Sequence, residues 1–156
     1  LTFLVDDYRK RGQERKPTFK PNFDEKVALI KFYPNMNPAI IDWHVDQGYK
    51  GFILEGTGLG HISRYCYDSI KRAIDKGLVV GMTSQCIWGR INMNVYYTGR
   101  DLLSLGVLPL EDMIPETALV KMMWAFGQTA DIQEVSKLML SNLAGEMFPR
   151  RTTTGE

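Results

Sequence analysis

Histidine and cysteine are scarce in this chain: two of each in 156 residues. Cys66 and Cys86 form no CxxC pair, and His44 and His61 are the only imidazoles beside them, too poor an inventory for a structural zinc site. Metal binding is therefore not expected, and the thiols read as free and buried in a reducing cytoplasm. Long apolar runs are also missing; none approaches the roughly 20 residues that cross a bilayer. The opening Leu1-Thr2-Phe3-Leu4-Val5-Asp6-Asp7 lacks a basic n-region and a cleavage signal, so export is not indicated. It also lacks an initiator Met, and the chain reads as a piece of something longer. Charge of one sign is lacking too: 19 Lys and Arg against 18 Asp and Glu leave +1, no electrostatic reason for this piece alone to bind nucleic acid.

What is present fits one globular domain, with 44% hydrophobic and 24% charged residues. Residues 1–26 are polar, with Arg9-Lys10-Arg11 and Arg15-Lys16-Pro17 in succession, and read as a solvated linker; the sharper alternative is a tRNA-binding arm. Val27-Ala28-Leu29-Ile30-Lys31-Phe32 is a short apolar run of the kind that forms a strand covered on both faces. Asn37-Pro38 caps a helix carrying Ile40, Ile41 and Val45 and closed by Gly48. Gly51-Phe52-Ile53-Leu54 makes a second strand. A second helix then places Ile62, Cys66, Ile70, Ala73 and Ile74 on one side and stops at Gly77. Leu78-Val79-Val80-Gly81-Met82 makes a third strand. Further on, Thr98 is placed to cap a helix through Leu102, Leu103 and Leu105 ending at Gly106. Pro115 opens a helix from Glu116 to Phe126 that is apolar on nearly every side and so expected to be sandwiched. Asp131-Ile132-Gln133-Glu134 starts a last helix in the manner of a capping box. Strand–helix alternation predicts a small three-layer α/β domain over 27–148, a parallel sheet flanked by helices, with 149–156 as a tail.

Glu55-Gly56-Thr57-Gly58-Leu59-Gly60-His61 follows a strand and precedes a helix, where glycines let backbone approach a ligand and a helix start favours anions. A dinucleotide fingerprint needs a third Gly where His61 stands and an acid near Thr83, and has neither. The remaining readings are a loop lining a carboxylate- or amide-binding cleft, an interface, or a plain tight turn. Thr83-Ser84-Gln85-Cys86-Ile87-Trp88-Gly89-Arg90 follows the third strand and should lie side by side with the Glu55–His61 loop, since ligands bind at the carboxyl ends of parallel strands. Its hydroxyls and amide suit a polar substrate group, whereas Ser84 or Cys86 as nucleophile would need a base, and no spacing rule supplies His61. Ile87 and Trp88, two large apolar residues in a loop, mark a contact surface. His44 reads as a partly buried helix histidine and Met122-Met123 beside Trp124 as core. Arg100-Asp101 and Glu111-Asp112 read as caps and surface charge. On these residues alone the function stays open, an independent small-ligand-binding α/β module included.

Taken in order, several segments resemble the C-terminal domain of the asparaginase/glutaminase family, from about Val27 to Gly145. They are Glu55-Gly56-Thr57-Gly58, Thr83-Ser84-Gln85-Cys86, Tyr97-Thr98-Gly99-Arg100 with Leu102-Leu103, Gly106-Val107, and Glu111-Asp112-Met113-Ile114-Pro115-Glu116-Thr117-Ala118-Leu119-Val120-Lys121. Within the family, Gly58-Leu59-Gly60-His61, Gly89-Arg90-Ile91-Asn92-Met93-Asn94-Val95-Tyr96 and Leu143-Ala144-Gly145-Glu146 are similar to the D-subunit branch of archaeal-type glutamyl-tRNA(Gln) amidotransferases. Asparaginases tend to carry Asn in the place of Leu59; a side chain with no hydrogen-bonding group there is consistent with a different amide specificity. The resemblance implies that the catalytic threonines, Asp and Lys belong to a preceding domain, so no catalytic residue is expected in this chain. It implies that Glu55, Gly56, Thr57, Gly58, Leu59, Gly60, His61, Thr83, Ser84, Gln85, Cys86 and Asn94 lie near substrate or a subunit interface. It further implies packing on that N-terminal domain and a homodimer of the parent. Ammonia from glutamine would pass to an E subunit that binds tRNA(Gln) and uses ATP and Mg, converting Glu-tRNA(Gln) to Gln-tRNA(Gln). No cofactor is expected on this domain, and a free L-asparaginase is the alternative within the family.

Overall fold

In the computed structural model, residues 18–148 are described. The basic clusters at 9–11 and 15–17 of the expected linker, and the expected tail 149–156, lie outside the described residues. The elements run β1 Val27–Lys31, α1 Ala39–Asp46, β2 Gly51–Gly56, α2 Tyr67–Asp75, β3 Val79–Ser84, α3 Tyr97–Leu105, β4 Leu108–Pro109, α4 Pro115–Gln128 and α5 Ile132–Leu140, with a single 3-10 turn at Arg64–Cys66 before α2. The four strands pair in the order β1-β2-β3-β4, all parallel, with Val27 opposite Gly51 and Gly51 opposite Val79. The predicted parallel three-strand frame is therefore present. β4 was not expected: two residues ending in Pro carry no apolar-run signal, and Pro is tolerated there because the strand is short and at the edge.

Alternation along the strands builds the layers. Ala28, Ile30, Phe52, Leu54, Val80 and Met82 face a core completed by α1, α2 and α3, while Val27, Ile53 and Val79 face one completed by α4 and α5. Every residue of β3 is buried, and of β2 only Glu55 is not. That is why both strands read as unbroken apolar runs. Asn37 caps α1 as expected, its Oδ1 accepting from Ala39 N at 3.0 Å. Asp131 caps α5, accepting from Gln133 N at 2.9 Å. Two other helix expectations change. Thr98 does not cap α3: the helix starts at Tyr97 with Tyr96 at the cap position, which places Thr98 within the first turn. α4 is not sandwiched: Ala118, Met122 and Ala125 are fully buried against the sheet and α5, but Val120 on its outer side is 52% exposed. An apolar helix sequence does not by itself say how many layers cover it.

The described part of the 1–26 stretch runs along α4. Trp124 Nε1 donates to Lys20 O at 3.2 Å, Gln128 Nε2 to Asn22 O at 2.9 Å, and Asp24 N to Met123 O at 2.9 Å. Gly127 makes the crossing possible, since a Cβ there would stand 2.2 Å from Asn22 O. At the other flank of α4, buried Lys121 donates to Met139 O at 3.2 Å and Ser141 O at 2.5 Å, capping α5, and pairs with Glu146 at 2.6 Å. Burial pushes the Glu146 carboxyl up, but the Lys121 ammonium and the N–H groups of Leu143 and Ala144 outweigh it and bring it down to about 2.

A carboxyl depressed on folding adds stability above its unfolded pKa, and that stability is lost as pH falls through the folded value. Denaturant midpoints of the chain should fall between about pH 5 and pH 2, and Glu146→Gln should flatten that segment of the profile. The lowering from 4.5 to about 2 corresponds to at most about 3 kcal/mol at neutral pH. Lys121→Ala should cost about 3–5 kcal/mol, because it leaves a buried carboxylate and two carbonyls unpaired. Equal profiles for the chain and Glu146→Gln below pH 5 would show that no such latch operates.

Candidate functional site

The carboxyl ends of β2 and β3 stand side by side, Glu55 opposite Thr83 and Gly56 opposite Ser84, so the two singled-out loops share one edge as expected. β3 continues two residues past Met82, however, and Thr83 and Ser84 belong to the strand rather than to a loop after it. Their polar groups are engaged within the domain. Fully buried Thr83 donates its hydroxyl to Leu54 O at 3.2 Å, and Ser84 Oγ donates to Gly58 O at 2.6 Å while accepting from Cys86 N at 3.1 Å. Gln85 Nε2 donates to Phe32 O at 2.5 Å and to Glu55 O at 2.9 Å, and its backbone N donates to Gly56 O at 2.8 Å. Glu55, half-buried, pairs with Lys31 at 3.2 Å.

Thr57 to His61 is a closed turn. Thr57 N donates to His61 O and His61 N to Thr57 O, both at 2.9 Å, and Thr57 Oγ1 adds a bond to His61 O at 3.2 Å. Gly58 and Gly60 take φ of +51° and +95°, and a Cβ on Gly60 would come within 3.1 Å of both Ile91 and Met82. The helix expected to start at the turn begins only at Tyr67, so no helix N-terminus faces these glycines. Half-buried Leu59 offers its carbonyl to Asn92 N at 3.0 Å.

His61 is held by α3. Its Nδ1 lies 3.0 Å from Thr98 Oγ1, and its ring meets Tyr96 edge-on at 5.3 Å. His61 Nε2 is buried and has no hydrogen-bond partner among the described residues. Ser84 and Cys86 do not engage this imidazole: the Ser84 hydroxyl is committed to Gly58 O. Cys86 is exposed, against the expectation of two buried thiols; burial holds for Cys66 alone, whose thiol it pushes up to about 11 and so keeps protonated. Beyond Cys86, Ile87 and Trp88 project outward, 85% and 81% exposed. Exposed Asn94 offers its carbonyl to Arg100 at 3.0 Å.

Beside Asn94 opens a cavity of about 470 Å³ whose rim carries Arg90, Asn92 and Glu111. Arg90 and Glu111 form an ion pair, and Glu111 takes a left-handed φ of +55°. Glu111, expected as a cap or surface charge, is instead half-buried against Arg90; a partner 21 residues away leaves no local signal in the sequence. The plainer readings of other residues hold. His44 donates Nδ1–H to Ile40 O at 2.7 Å, Met122 is core, Asp101 pairs with Arg64 at 3.3 Å, and Asp112 accepts from Phe148 N at 2.7 Å. No group of three or more His, Cys, Asp or Glu among the described residues is arranged to hold a metal ion, and no described helix is long and apolar enough to cross a membrane.

The chain is similar to known proteins in sequence and in fold. The Glutaminase/Asparaginase C-terminal domain family matches residues 26–139. The D subunit of the glutamyl-tRNA(Gln) amidotransferase of Pyrococcus furiosus is 56% identical over 149 residues, covering 96% of this chain, and that of Methanopyrus kandleri is 52% identical over 155, covering 99%. This chain spans about a third of their length, 34% of each. Among solved structures, the thermostable L-asparaginase from Thermococcus kodakarensis superposes with a TM-score of 0.83 at 32% identity, over 92% of this chain and 44% of that one. L-asparaginase I from Vibrio cholerae gives 0.76 at 30% identity, over 83% and 40%.

The division between bonded and projecting groups on the edge can be measured. Gln85→Leu strips Phe32 O and Glu55 O of a donor and should cost about 1–3 kcal/mol in urea unfolding. Ile87→Ser and Trp88→Ser, at exposed positions, should each stay within about 0.5 kcal/mol. A large loss from Trp88→Ser would mean that Trp88 packs within the domain after all.

Proposed function

The chain belongs to the glutaminase/asparaginase C-terminal domain family, and from that membership we propose that it is the site-completing part of the glutaminase subunit of a glutamyl-tRNA(Gln) amidotransferase. Within that family the D-subunit reading is favoured over a free asparaginase by a comparison inside one organism. The chain is 51% identical to the amidotransferase D subunit of Thermococcus kodakarensis and 32% identical to the L-asparaginase from the same source.

The observation that carries the site-completing role is the state of the carboxyl edge. Ile87 and Trp88 project from it, while His61 Nε2 is buried without a partner among the described residues. Large apolar side chains left exposed on a loop mark a contact surface, so Ile87 and Trp88 support a covering domain or subunit at this edge. Covalent amide hydrolysis needs an activated nucleophile, a base and oxyanion donors held together. Here the candidate hydroxyls and amide of Thr83, Ser84 and Gln85 are already engaged with the backbone. The chemistry therefore falls to the remainder of the subunit. Glutamine would be hydrolysed there, in a homodimer whose active site the edge helps to close. Ammonia would pass to a cytoplasmic partner subunit that binds tRNA(Gln) and uses ATP and Mg.

Ammonia release tests this. The 156-residue chain should hydrolyse neither glutamine nor asparagine at a measurable rate. The full-length parent with its tRNA-binding partner and charged tRNA should release ammonia from glutamine. Turnover by the chain itself, abolished by Ser84→Ala or Cys86→Ala, would overturn the division of labour, and an inert parent under those conditions would overturn the amidotransferase reading.

A further inference from the structure

The outer side of α4 carries a surface that the role of the carboxyl edge does not account for. Between the strap, α4 and the Leu143–Glu146 segment lies a groove of about 600 Å³. Phe23, Thr117, Val120, Trp124, Leu143 and Ala144 line it, and no residue of the β2 and β3 carboxyl ends contributes. The strap that forms one wall holds on through its backbone: Lys20 O accepts from Trp124 Nε1 and Asn22 O from Gln128 Nε2. Its aromatic rings are left in water, Phe19 being 88% and Phe23 50% exposed. A hole and a projecting ring therefore share one face. Charge is divided along the same face. Glu116 lines the groove from the first turn of α4, whereas Lys20 stands beside Phe19 at the Trp124 end. Positions 116 and 124 are about two helical turns, roughly 12 Å, apart. Lys20 and Glu116 are both exposed, and neither makes an ion pair among the described residues.

We propose that this face is an interface between two copies of the chain, related by a two-fold that sets their α4 helices antiparallel and seats Phe19 of each copy in the groove of the other. A two-fold contact needs one patch to carry both halves of a complementary pair, and a hole beside a projecting ring does so. The antiparallel alignment brings the Trp124 end of one helix over the Glu116 end of the other. Lys20 of each copy then meets Glu116 of the second, so both pairs are complementary. A parallel alignment would set lysine beside lysine and glutamate beside glutamate. A Phe or Trp side chain buries about 150–250 Å². With Phe19, Phe23 and Val120 largely or half exposed on each copy, the contact comes to on the order of 1,000 Å² in total. That is the low end for a specific interface, so the dimer is weak and concentration-dependent. It is separate from the contact at the carboxyl edge and does not rest on the glutaminase reading.

Sedimentation equilibrium of the 156-residue chain over a wide concentration range tests this. A monomer–dimer equilibrium with a Kd of about 1–100 µM is expected. Phe19→Ser and Val120→Glu change exposed positions, which leaves folding intact, and each should weaken the dimer at least about tenfold. Lys20→Glu and Glu116→Lys should each weaken it about threefold or more, and the two together should restore it, because the swap rebuilds both pairs across the two-fold. Trp88→Ser, which blunts the carboxyl edge, should leave the Kd unchanged. A chain that stays monomeric up to about 500 µM, as it would be if residues 1–17 of the same copy filled the groove, overturns the proposal. So does a dimer lost in Trp88→Ser yet kept in Phe19→Ser and Val120→Glu, or a charge swap no tighter than either single variant. The readout involves no turnover, so its failure leaves the glutaminase reading standing, and an inert parent leaves this interface standing.

Discussion

Covering β2 and β3 on both faces imposes the constraint that the rest of the edge obeys. A strand buried on two sides has no water for the peptide groups beyond its last ladder bond, so those groups must be paired by the protein. Thr83, Ser84 and Gln85 add side-chain donors at this end, to Leu54 O, Gly58 O, Phe32 O and Glu55 O, the last of which also accepts from Phe32 N. β1, β2 and the glycine turn are thereby tied to the end of β3. Polar residues that look available for a substrate in the sequence turn out to hold the platform on which a site can be built.

What remains unpaired on that platform is correspondingly informative. Once the strand ends and the turn are satisfied, the carboxyl edge is left with one buried imidazole nitrogen, two outward apolar side chains and a recess with opposite charges on its rim. The turn residues Leu59 and Gly60 touch the recess, and His61 touches α3, so these features form one mechanical unit.

The opposite layer is organised differently. α4 leaves part of its outer side bare and is flanked by the strap through Lys20, Asn22 and Asp24 and by the Lys121–Glu146 latch. Lys121 is tolerated under cover because two carbonyls and a carboxylate take its three protons. The latch also joins the end of α5 to the Leu143–Glu146 segment, which otherwise has few apolar anchors beyond buried Met147.

Much of the frame was written locally. The apolar runs from Val27, Gly51 and Val79, the caps at Asn37 and Asp131, and the closing glycines at 48, 77 and 106 are short-range signals, and each operates in the structure. The family was legible as well, through the ordered series of motifs that runs from Glu55 to Lys121. Tertiary structure alone decided where those motifs' polar groups would be spent. Nothing near Thr83 in the chain says that β3 continues to Ser84; that depends on Glu55 and Gly56 lying opposite. Nothing near Thr98 announces His61, 37 residues earlier, nor does Glu111 announce Arg90. Periodicity and capping are set within a few residues, whereas the pairing of a hydroxyl, the exposure of Cys86 and the left-handed turn at Glu111 depend on partners brought in by sheet formation. Sequence alone thus determined the strands, the helices and the kinship; long-range packing decided which side chains brace the edge and which are free to meet something else.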